Sequence, residues 1–282
     1  MTTSRPAVLY VVGAGHSGST LLDLMLGGHP DVQSLGELAT YDDYFGPADG
    51  PMPWAERGCT CGVHVSRCPF WAAVRRRIGD GPVPARDGDG FAARTADLLG
   101  AVAAVTGKRF VCDSSKDLRR LAALRRAGVV ARAIHLVRDG RGVAYSYQRL
   151  ADAGAPHPPP WHGYDAALLS WAELTARVAD DPDTRTVRYE DLVASPTQVL
   201  SDVLAPLGLG VEPAMLRFWD RRQHNLCGNR MRMRPTPGLR YDDAYLTALP
   251  PAALAVREPT LAAALRRFGY PPVVGESPAA PA

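Results

Sequence analysis

Residues 7–12 form an unbroken apolar run, the pattern of a strand buried on both faces of a parallel sheet. A helix is predicted over 19–27, stopped by Gly27, Gly28, His29 and Pro30. The alternation then recurs. Strands are predicted at 109–112, 132–137 and 186–189, and helices at 118–127, 140–150 and 164–179, with two or three more up to about residue 222. Residues 42–90 are rich in Gly, Pro, Cys and Trp and show poor periodicity. They read as an irregular insertion with one short helix near 70–78, and 91–105 reads as helix. Residues 151–163, with His157 and three consecutive prolines, read as a loop. Strands alternating with helices predict an α/β fold. The expected organisation is one domain over 1–270, with 42–105 as an inserted cap and 271–282 as a disordered Pro/Ala-rich tail.

Composition narrows the class. The chain has 282 residues, 46% hydrophobic and 22% charged, which is ordinary for a globular protein with a sizeable core. A net charge of +3 argues against a broad nucleic-acid surface, yet a concave anion site needs only a few basic groups. The apolar run at 7–12 is too short for a secretory signal, and no stretch of about 18 apolar residues suggests a membrane span. Five cysteines, with Cys112 and Cys227 isolated, suggest a cytoplasmic protein with mostly reduced thiols.

Chemistry gathers at the ends of predicted strands, where open α/β sheets bind ligands. After the first strand comes Gly13-Ala14-Gly15-His16-Ser17-Gly18-Ser19-Thr20, a glycine-rich turn into a helix N-terminus. Such a turn presents N–H groups and hydroxyls to an anion. It nearly spells the nucleotide-triphosphate loop, but Ser19 stands where that motif needs Lys, so the sheet is expected to be P-loop-like without the triphosphate site. After the second strand comes Asp113-Ser114-Ser115-Lys116. After the third comes Arg138-Asp139-Gly140-Arg141, with Ser146 almost two turns into the next helix.

In this order on one chain, these segments resemble the sulfotransferases that use 3′-phosphoadenosine 5′-phosphosulfate (PAPS). The likeness is to the branch holding tyrosylprotein and carbohydrate sulfotransferases and bacterial relatives. His16-Ser17-Gly18-Ser19-Thr20-Leu21-Leu22 resembles the family's 5′-phosphosulfate loop, and Leu136–Arg141 with Ser146 its 3′-phosphate motif. Gly36-Glu37 and Val187–Leu192 resemble further segments of that branch. The resemblance implies that Gly15, His16, Ser17, Gly18, Ser19 and Thr20 hold the 5′ end of PAPS. It implies Arg138 and Ser146 at the 3′-phosphate, Tyr189 at the adenine, and Asn229 and Arg232 on a late loop closing over the nucleotide. A guanidinium fork suits bidentate phosphate binding.

Glu37 matches the family's general base, needed because an alcohol is a poor nucleophile until its proton can leave. Lys116 is expected to supply a permanent cation to a loose transition state. His16 departs from the Arg or Lys of relatives. It could donate to the phosphosulfate, protonate the leaving oxygen, or replace Glu37 as base. The expected acceptor is a hydroxyl of a small molecule, glycan or lipid. Two other readings stay open: an ATP-dependent P-loop kinase and a non-catalytic nucleotide-binding protein.

Cys59, Cys61, His64 and Cys68 tempt a zinc reading, but the spacing differs from standard fingers. Reduced structural thiols are expected there, with no metal. Trp54, Phe70 and Trp71 suggest that the insertion packs as a cap, and 157–161 is a candidate lining of the acceptor pocket.

Overall fold

The computed structural model describes residues 6–154, 161–234 and 236–274. The expected tail from residue 275 onward, and the proline-rich part of the candidate pocket loop, lie outside the described residues. Five strands stand in the order β2-β3-β1-β4-β5: β1 Ala7–Val12, β2 Val32–Ser34, β3 Phe110–Lys116, β4 Val130–Val137 and β5 Thr184–Arg188. The sheet is parallel, with β1 and β2 flanking β3. Two corrections to the sequence reading follow. The pattern yields four strands, because β2 is three residues long and too short to show a period. The cluster 113–116 also does not follow its strand but forms the end of β3.

That extension has a physical basis. Asp113 is buried and paired at 2.8 Å with the equally buried Arg120 of helix α5 (Leu118–Arg126), so polar residues continue the ladder without unpaired charge. Ser115 donates both its N–H and its hydroxyl to Asp113. Asp113 is therefore engaged in folding.

The chain divides into two interleaved compact units. The first comprises Met1–Val12, Ser19–Ile134 and Ser195–Gly238. It holds β1, β2, β3 and most of β4, with helices α1 (Ser19–Leu26), α2 (Tyr41–Phe45), α3 (Pro69–Ile78), α4 (Phe91–Thr106) and α5. Helix α1 is buried along its whole length, as its sequence STLLDLML allows. The insertion is more ordered than expected, with two α-helices and short 3-10 turns. Arg57, fully buried, donates to the carbonyls of Gly46, Pro47 and Met52 and so closes its irregular part.

The second unit comprises Gly13–Gly18, His135–Ala194 and Leu239–Ala282. It holds the end of β4, β5, and helices α6 (Gly140–Asp152), α7 (Tyr164–Ala179) and α8 (Tyr189–Ala194). Its core gathers Ala14, Val137, Val143, Trp171, Leu265 and Phe268. Asp139 caps α6 by accepting from the Arg141 N–H, and its carboxylate also pairs with the buried Arg141 guanidinium at 2.7 Å. Among the described residues, no helix is long and apolar enough to cross a membrane.

Candidate functional site

In the second unit the turn 13–18 is threaded through places where only glycine fits. A Cβ on Gly13 would lie 2.4 Å from the Leu136 carbonyl oxygen, one on Gly15 2.2 Å from the Tyr147 hydroxyl, and one on Gly18 2.6 Å from the Tyr189 ring. Gly13 and Gly18 also have φ of 148° and 92°, which side chains rarely adopt. Between them His16 holds φ 62°, a strained value for a residue with a Cβ, and such strain gathers where function over-determines the backbone. The His16 ring stands edge-on to Tyr147 at 4.6 Å.

Arg138, at the end of β4, lies beside this turn. Its Nη1 donates to the His16 carbonyl at 3.0 Å, and its Nη2 donates to the Asp242 carbonyl at 2.5 Å and pairs with the Asp242 carboxylate at 3.0 Å. The guanidinium sits 5.0 Å over the Tyr189 ring, and the Tyr189 hydroxyl donates to the Arg240 carbonyl and accepts from the Asp242 N–H. Around this turn the Ser17 hydroxyl and Arg138 Nε are buried without a protein partner among the described residues. Ser146 lies on α6 as expected, but its hydroxyl donates to the Gly142 carbonyl of its own helix at 2.9 Å. Tyr189 opens α8 rather than ending β5, and its ring is buried between Gly18 and Arg138.

In the first unit, Ser19 and Thr20 open α1, both buried. The Thr20 hydroxyl oxygen accepts from the Asn229 N–H at 2.9 Å. Lys116 pairs in register with Val12, the last residue of β1, across a local irregularity in the ladder. At φ 66° Lys116 is the second non-glycine residue in the left-handed region. Its ammonium contacts a Glu37 carboxylate oxygen at 2.5 Å and donates to the Ser114 carbonyl at 3.2 Å. Both side chains are about four-fifths buried, at 17% and 20% exposure, so water screens the pair only in part.

Glu37 starts a 3-10 turn (Leu38–Thr40) but its carboxylate does not cap it. The turn is held instead by β3, whose Ser114 N–H donates to the Gly36 carbonyl and whose Ser115 hydroxyl accepts from the Ala39 N–H. The Glu37 carboxylate is thus aimed at a lysine by strand backbone.

Arg232 has a different occupation. Its buried guanidinium donates to the Gly58 and Asn225 carbonyls, the Thr60 hydroxyl and the Tyr44 hydroxyl. These bonds fasten the insertion to the segment around 225, so we assign Arg232 to that anchor. The exposed Asn229 side chain accepts from the Met231 N–H as a cap. The sequence reading missed Tyr147 and Asp242; Trp161, at the end of the candidate pocket loop, stacks on Tyr147 at 5.0 Å. None belongs to a motif; only the three glycines that need their neighbours close could have signalled tight packing there.

A family model described as the sulfotransferase family matches residues 7–213. Among solved structures, a sulfotransferase domain from the curacin biosynthetic pathway is 19% identical with a TM-score of 0.57, over 95% of this chain and 99% of that one. The sulfotransferase domain of the Synechococcus PCC 7002 olefin synthase is 20% identical with a TM-score of 0.52, over 95% and 96%. The sulfotransferase STF9 from Mycobacterium avium is 14% identical with a TM-score of 0.50, over 99% and 79%. At these identities the likeness concerns the fold. No protein of curated function matches the sequence.

Proposed function

The chain belongs to the sulfotransferase family, and on that premise we propose that it moves a sulfuryl group from PAPS to a hydroxyl of a small-molecule, glycan or lipid acceptor. The observation that supports the donor most directly is the pair of orphaned donors at the turn, Ser17 Oγ and Arg138 Nε. A buried polar group without a partner costs about 1–3 kcal/mol, which an anionic ligand would remove. The residues thus fit a phosphorylated, sulfated nucleotide.

PAPS, when bound, supplies a sulfuryl group already activated on a phosphate. The rest falls to the protein. The N–H groups at the α1 N-terminus, with Ser17, Ser19 and Thr20, hold the 5′ anion. Thr20 accepts from Asn229, which leaves its proton to donate to a phosphate. Arg138 binds the 3′-phosphate. Ser146 joins it only by turning its hydroxyl away from Gly142. Lys116 and the turn donors hold the charge that grows on the leaving oxygen. Glu37 takes the acceptor proton at the oxygen not held by Lys116, whose ammonium orients the carboxylate. We give His16 the role of donor to the phosphosulfate, since its ring packs against Tyr147.

Mass spectrometry of a metabolite extract incubated with enzyme and labelled PAPS should reveal a product carrying the label. Glu37→Gln should lower that turnover by about 10²–10⁴ while binding adenosine 3′,5′-bisphosphate as before. Full activity in this variant would remove Glu37 as base. Transfer from ATP with Mg²⁺ instead of PAPS would replace the reading with a kinase.

A further inference from the structure

Cys59, Cys61 and Cys68 come together with His224, not with the nearby His64, and their four ligand atoms all lie within 4.8 Å of one another. His64 instead caps the following 3-10 turn by accepting from the Ser66 N–H. We propose that Cys59, Cys61, Cys68 and His224 form a closed structural zinc site in the first unit. This revises the expectation of plain reduced thiols.

The distances carry the assignment. With Zn–S of about 2.3 Å and Zn–N of about 2.0–2.1 Å, a tetrahedron has S···S edges of about 3.8 Å and S···N edges of about 3.5 Å. The observed separations are 3.6 Å for Cys59–Cys68, 3.7 Å for Cys61–Cys68, and 3.8 and 3.3 Å from His224 Nδ1 to Cys59 and Cys68. Three sulfurs and one imidazole nitrogen around a common centre suit a borderline-soft tetrahedral ion, and zinc above the oxygen-seeking cations. Three thiols cannot all pair as disulfides, whereas all four groups can share one ion.

The surroundings are built for it. Cys59 and Cys61 sit on a tight hairpin closed by Cys59 N–H to the Val63 carbonyl and Gly62 N–H to the Cys59 carbonyl, with Gly62 at φ 92°. The His224 ring is stacked on Phe70 at 4.8 Å, and its carbonyl accepts from the Trp71 indole at 2.8 Å, which fixes the ligand's orientation. Three thiolates and a neutral imidazole give the zinc centre one net negative charge. The buried Arg232 guanidinium, bonded to Gly58 and Thr60 on either side of Cys59, is the matching countercharge. Four protein ligands leave no open position, so the ion clamps the insertion to the segment around 224–232 and does no chemistry on substrate.

The test is metal content of the full chain, purified without chelator, freed of any tag and exhaustively dialysed. One zinc per chain is expected. Exchange with Co²⁺ should give the visible bands of tetrahedral cobalt together with thiolate-to-cobalt charge transfer. Cys61→Ser, at the partly exposed ligand, should lower the retained zinc by about tenfold or more. If that variant fails to fold, the wild-type zinc content and cobalt spectrum decide alone. Metal-free protein with the mass deficit of a disulfide, or with these thiols freely reactive in the native state, would overturn the site.

Discussion

Two buried arginines show how far a residue's type falls short of its role. Arg138 and Arg232 both lie in basic stretches and are 5% and 6% exposed. Arg232 directs its Nη groups at the Gly58 and Asn225 carbonyls and the Thr60 and Tyr44 hydroxyls, whereas Arg138 directs its own at the His16 and Asp242 carbonyls beside a strained turn; Nε of each is without a partner among the described residues. His135 is another buried cation former, with neither ring nitrogen hydrogen-bonded among the described residues. Burial, aided by Arg267, pushes its pKa from 6.5 down to about 4. The unfolded chain therefore binds a proton that the folded chain refuses across this interval. Its contribution to stability is present above pH 6.5 and is lost as pH falls toward 4, by up to about 1.4 kcal/mol per pH unit. Denaturant unfolding of His135→Leu against wild type across that range should show the variant gaining stability relative to wild type as pH falls. A pH-independent difference would refute the assignment.

At the scale of elements, the turn between β1 and α1 is the part most constrained by its own backbone. Gly18→Ala would place a methyl 2.6 Å from the Tyr189 ring at φ 92°. Such strain costs about 1–3 kcal/mol. Affinity for adenosine 3′,5′-bisphosphate should fall about tenfold or more, and unchanged affinity would mean that the turn does not hold the ligand. This element was legible in the sequence because its chemistry is local: an apolar strand, glycines at fixed places, then hydroxyls. Helices α6 and α7 were legible for the same reason. What escaped was non-local. β2 shows itself only through pairing with β3, and β3 runs on through polar residues because Arg120 neutralises Asp113. His224 lies 156 residues after Cys68, so no spacing rule could join them. Arg232 reads as a loop cation until its partners are seen.

Across the whole molecule, the likeness to solved sulfotransferases holds over 95% or more of this chain at 14–20% identity. The fold is shared while most residues differ, as expected where volume and pattern determine folding. The central claim concerns the donor, and it can be tested without knowing the acceptor. Calorimetric titration with adenosine 3′,5′-bisphosphate should show one saturable site, unaffected by excess ATP, and Arg138→Ala should weaken it at least about tenfold, the scale of a lost charged hydrogen bond. No binding to wild type, or equal binding to the variant, would contradict it.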